Sequence, residues 1–97
     1  MLKHIVLFQW QPEASEEQIT AAMTALQEMT PQIPFIVDLS AGKNFSDRSQ
    51  GYTHALTVTF NQTSDLALYQ PHPVHQEIVV NLIRPIALKI LAIDYEY

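Results

Sequence analysis

The chain has 97 residues, 47% of them hydrophobic and only 15% charged. That length allows one small domain over residues 1–97 with no separate cofactor-binding unit, and so apolar a composition leaves surface for a partner to cover. Five Lys and Arg against ten Asp and Glu give a net charge of -5 with the basic residues scattered, and cysteine is absent; a nucleic-acid footprint, disulfides, thiolate nucleophiles and Cys-ligated zinc are all excluded.

Leu2 to Trp10 reads as a strand. Leu2, His4, Val6 and Phe8 fall on one face and Lys3, Ile5, Leu7 and Gln9 on the other, so apolar side chains need cover on both sides. This run is too short for a signal h-region or a membrane span, and a cytoplasmic protein with no membrane partner is expected. Pro12 ends the strand. Ser15 followed by Gln18, with Glu16 and Glu17 between, forms a capping box with acids in the first turn. Ile19, Ala22, Met23, Leu26 and Met29 then make a helical stripe that stops at Thr30, before Pro31.

Phe35 to Ala41 reads as a second strand, closed by Gly42 and a polar loop through Gly51. In the third, Tyr52, His54, Leu56, Val58 and Phe60 alternate with Thr53, Ala55, Thr57 and Thr59. Thr63 or Ser64 can cap a short helix through Tyr69, which Pro71 breaks. Pro73 opens a second helical piece to about Arg84, Pro85 interrupts it, and Lys89 to Tyr97 forms the last strand.

The order is β-α-β-β-α-β, the α+β ferredoxin-like arrangement: a four-stranded antiparallel sheet with the helices on one face. Ile5, Leu7 and Ala55 would then face outward. A second copy packed sheet to sheet covers them most simply and makes a homodimeric α/β barrel.

Four strings, KHIVLF (residues 3–8), GYTHAL (51–56), HPVH (72–75) with Tyr69 before it, and DYE (94–96), resemble in order and spacing the stress-responsive dimeric α/β-barrel (Dabb) family. The resemblance covers about residues 1–96. It implies a cofactor-free homodimeric barrel with stress-induced members in plants. One group of plant members includes a polyketide cyclase whose pocket lies inside each protomer, between sheet and helices, and the wider dimeric barrel group contains cofactor-free monooxygenases. By this resemblance Tyr69 and His75 match the catalytic tyrosine and histidine, and His4 and His54 match residues lining the pocket.

The residues themselves allow such chemistry. His4 shares a strand face with Val6 and Phe8, and His54 with Tyr52, Leu56, Val58 and Phe60, so these faces would turn under the helices; Phe8 and Tyr52 join the histidines as candidate ligand contacts. Imidazole exchanges a proton near neutrality, and a tyrosine hydroxyl can donate to a carbonyl as enolate charge develops. The expected function is binding of a small apolar or aromatic molecule in this His/Tyr-lined pocket. A second reading is a cofactor-free enzyme acting on an enolisable carbonyl, with His75 as base and Tyr69 as polariser.

Plainer roles compete with these. His4 and His54 could be core histidines bonded to each other or to backbone carbonyls, Tyr69 an amphipathic core residue and His72 a helix cap. No metal site is expected, because no Asp or Glu adjoins His72 and His75 and Glu77 points elsewhere by helical spacing. Asp94 and Glu96 read as a solvated strand edge. Ala22, Met23, Ala25, Ile78, Val79 and Leu82 are expected to set the cavity.

Overall fold

The computed structural model describes residues 1–97. Four strands, β1 (Leu2–Trp10), β2 (Asp38–Lys43), β3 (His54–Phe60) and β4 (Ala87–Glu96), form one sheet in the order β2-β3-β1-β4. Every neighbouring pair is antiparallel. Helices α1 (Glu16–Gln27), α2 (Thr63–Tyr69) and α3 (Pro73–Ile78) lie in the two crossovers, and the topology is the ferredoxin-like one read from the sequence. No helix is long and apolar enough to cross a membrane.

The alternation of β1 is realised in full. Leu2, His4, Val6, Phe8 and Trp10 are buried under the helices while the residues between them are half-exposed. The capping box forms in both directions: the Gln18 N–H donates to Ser15 Oγ at 3.1 Å and the Ser15 N–H donates to Gln18 Oε1 at 2.9 Å. Ile19, Ala22, Met23 and Leu26 of α1 join Val58, Phe60 and Tyr69 in one core.

Several boundaries move from those read in the sequence, for local reasons. β2 begins at Asp38 rather than Phe35, because a turn first closes from the Ile36 N–H to the Ile33 carbonyl and buries both isoleucines. β2 also runs through Gly42 to Lys43. β3 begins at His54 rather than Tyr52. Before it, Gln50 and Gly51 have φ of 56° and 93°, and a Cβ on Gly51 would lie 2.2 Å from Gln9 Nε2; glycine is required where the loop presses on β1.

Thr63 and Ser64 lie inside the first turn of α2, whose N-cap is Gln62. His72 caps α3, accepting the Val74 N–H at Nδ1 (3.2 Å). The helical piece read to Arg84 changes character at Val79–Ile83, a π-helical turn in which the Arg84 N–H reaches the Val79 carbonyl; π turns are frequent beside functional sites.

Candidate active site

A cavity of about 200 Å³ lies between the sheet and the helical layer. Its floor is the helix-facing side of three strands: His4, Val6 and Phe8 of β1, Leu56 of β3, and Ile90 and Ala92 of β4. Leu26 of α1 closes one side, and Tyr69, Gln70, His75, Val79 and Ile83 cover it. His75, Val79 and Ile83 recur every four residues, so one helical stripe forms the roof. Ile90 is 48% exposed although it lies on the helix-facing side, and the cavity opens to solvent past β4.

Pairing of β1 with β4 sets His4 opposite Asp94, and cross-strand partners project to the same face. Their side chains meet at 2.5 Å, Nδ1 to Oδ1. His4 is 5% exposed, and its other nitrogen, Nε2, has no protein partner. No fully enclosed side-chain nitrogen or oxygen in the molecule lacks a partner, so Nε2 borders open space, and the open space that His4 lines is the cavity.

His75 is oriented by the break between the short helices. Its Nδ1 lies 2.9 Å from the Gln70 carbonyl; a carbonyl oxygen only accepts, so Nδ1 carries the hydrogen and the neutral ring keeps its lone pair at Nε2. The Gln76 side chain donates to the same carbonyl at 2.7 Å. Burial draws the pKa of His75 below its ordinary 6.5; the Gln70 bond opposes the fall, and the nearby His4 and His72 add to it.

Tyr69 is fully buried, with ring centroids 4.3 Å from His75, 5.2 Å from Phe60 and 5.7 Å from His4. Burial pushes its hydroxyl pKa up, and the hydroxyl donates only to the thioether of Met29, at 4.0 Å. A sulfur acceptor is weak, so this donor can be won by a better acceptor at little cost.

Of the six residues singled out in the sequence, His4, Phe8, Tyr69 and His75 converge on this cavity, and His54 and Tyr52 do not. His54 sits at the far end of its strand face, where its Nδ1 accepts the Trp10 indole N–H at 2.9 Å and also meets Thr53 Oγ1 at 2.8 Å. Its pKa is lowered by burial and by Lys43, against a contrary pull from Glu16. Tyr52 precedes β3 and, together with His54, lines a separate groove that also reaches Leu7 and Ala55 on the outer side of the sheet. Neither histidine bonds as expected of a core residue: His4 meets a carboxylate and His54 an indole. Of the residues expected to set the cavity, Val79 lines it, while Ala22, Met23, Ala25, Ile78 and Leu82 do not; Leu26 and Ile83 stand there instead.

Asp94 was legible only as an exposed acid. Only the register of β4 against β1 sets it on the helix-facing side, beside His4. No group of three or more His, Asp or Glu side chains converges as metal ligands would.

The stress-responsive A/B barrel domain model matches residues 2–97. The chain belongs to this family. Within it, the chain is 28% identical over 76 residues to olivetolic acid cyclase of Cannabis sativa, a match covering 76% of this chain and 75% of the cyclase. It is 26% identical over 95 residues to a stress-response A/B barrel domain-containing protein of Arabidopsis thaliana; that match covers 98% of this chain but only 36% of the longer plant protein. Among solved structures, a dimeric ferredoxin-like protein of unknown function from Jannaschia sp. CCS1 superposes with a TM-score of 0.82 at 28% identity, covering 99% of this chain and 98% of that one. The family fold thus frames the cavity, whose wall carries His4, Tyr69 and His75.

The lowered pKa of His75 has a measurable consequence. A histidine whose folded pKa is lowered binds its proton more readily when the chain unfolds, so stability is complete above about pH 7 and declines as pH falls through about 6.5, levelling off below the folded pKa. His75→Gln is expected to flatten the slope between about pH 5 and 7 in urea titrations. An unchanged slope would show that His75 is not the ring whose pKa the fold lowers.

Proposed function

We propose that the protein is a homodimer whose protomers each bind a small apolar or aromatic molecule in the cavity under His75 and Tyr69. The observation that carries this reading is an apolar chamber with only a few polar groups at its wall, the usual composition of a ligand site. Its volume supports a ligand of one-ring size, since an apolar cavity of about 150 Å³ holds benzene. The dimer is supported by the uncovered apolar side of the sheet and by the dimeric relative from Jannaschia.

Binding is tested by titrating anisole, a neutral single-ring probe, into isotope-labelled protein. Saturable shifts confined to Val6, Phe8, Leu56, Val79 and Ile83 are expected. Ala92→Phe fills the mouth from an exposed position and should abolish them. Absence of any saturable shift up to the solubility of anisole would sink the reading.

Catalysis is the second reading, favoured by the 4.3 Å packing of Tyr69 on His75. The free Nε2 of His75 would take a proton from carbon beside a carbonyl, and the Tyr69 hydroxyl would leave Met29 to donate to the developing enolate oxygen. A cyclase among the relatives supports this choice of chemistry. In that case Tyr69→Phe lowers turnover of an enolisable ketone more than it weakens binding.

A further inference from the structure

The two histidines that line the cavity are both held through Nδ1. His4 directs Nδ1 to the Asp94 carboxylate and His75 directs Nδ1 to the Gln70 carbonyl; each oxygen is an acceptor, so each neutral imidazole keeps its hydrogen on Nδ1 and leaves a lone pair on Nε2. With both rings neutral, the site therefore presents two acceptors. Its side-chain donor is weaker: the Tyr69 hydroxyl, turned to Met29. No Lys or Arg lines the cavity, and a carboxylate already stands behind His4.

We propose that the cavity selects neutral, ring-sized molecules that bring a hydroxyl donor, the chemical class of phenols and enols, over molecules of equal size that bring only acceptors or a negative charge. The selection rests on the pocket reading above and names what that pocket takes. A phenol hydroxyl donates to one Nε2 while its ring fills the space among Val6, Phe8 and Leu56. The methyl ether of the same ring leaves both lone pairs unmatched in an apolar enclosure, and an unmet buried acceptor is costly. An anion meets two lone pairs and the Asp94 carboxylate with no cation to offset them.

Three probes of one size decide the matter: phenol, anisole and benzoate, titrated separately into the full chain and followed by the same chemical shifts. Phenol is expected to bind about tenfold more tightly than anisole, the value of one well-made hydrogen bond in a dry site, and benzoate more weakly than either. Asp94→Leu frees the His4 ring from its acceptor, and His75→Leu removes the other lone pair. Each variant should lower the ratio of anisole to phenol dissociation constants, with circular dichroism reporting that the variant is folded; an unchanged ratio in both variants overturns the proposal.

Nitrogen-15 shifts of the imidazoles should place the hydrogen on Nδ1 in both rings of the free protein. Equal affinity for phenol and anisole overturns the proposal and leaves the pocket reading standing. Tighter binding of benzoate than of phenol also overturns it, since that result requires an imidazolium at the wall. If none of the three binds, both the pocket reading and the proposal fall.

Discussion

Replacing Phe60 by alanine is expected to destabilise the fold by about 3–5 kcal/mol, the usual cost of removing a buried aromatic ring. Phe60 is fully buried at the end of β3, between Tyr69 at 5.2 Å and Phe35 at 6.1 Å. Its ring packs against Tyr69, so truncation opens a void in the core beside it. For a domain of this size the loss corresponds to a fall in melting temperature of more than about 12 °C. Because Phe60 does not line the cavity while Tyr69 does, the same variant should weaken anisole binding at temperatures where it is still folded. A melting temperature within about 3 °C of the parent would show that the α2 helix collapses onto the sheet without strain, and that Tyr69 is not held by this stack.

The fold was legible because each element carried its own local signal: alternation in β1 and β3, the Ser15–Gln18 box before α1, and the proline breaks around α2 and α3. What escaped were features fixed by contacts far apart in the chain. The early start read for β2 overlooked that Ile33 and Ile36 gain more from burial in a turn than from extension at a sheet edge. The strand face of His54 was read correctly, yet the face is longer than the cavity, and the Trp10 indole claims the imidazole before a ligand could. Asp94 illustrates the limit best. Its residue type was visible, while its chemistry depends on pairing with a strand 90 residues away along the chain. The resemblance to the family reached Tyr69 and His75, but the hydrogen bonds that set the state of each imidazole are properties of the folded backbone at Gln70 and of the β1–β4 ladder.

Placing a lysine at Ile93 is expected to convert the protein from dimer to monomer while leaving the protomer folded. On the outer side of the sheet, Ile5 pairs with Ile93 and Leu7 with Leu91, and no segment of the chain covers them. Ile93 is 51% exposed, Tyr95 48% and Leu91 41%. A contiguous apolar side of this kind on a chain of 11.0 kDa is costly to leave in water at about 25 cal/mol per Å². Two such faces can bury more than about 1,200 Å² in total, the range of stable interfaces. A lysine on this patch must leave an apolar interface in both copies at once, so the penalty is counted twice in the dimer. In the isolated protomer the same side chain reaches water from a half-exposed position on an edge strand, where lysine is well tolerated. Light scattering at micromolar concentration should therefore give twice 11.0 kDa for the parent and 11.0 kDa for Ile93→Lys, with circular dichroism unchanged below the melting temperature. The variant's melting temperature should also lose the dependence on concentration that mass action imposes on the parent. A parent that scatters as a monomer would remove the dimer and leave the apolar side of the sheet without its second copy; a lysine variant that stays dimeric would move the interface to another face of the barrel.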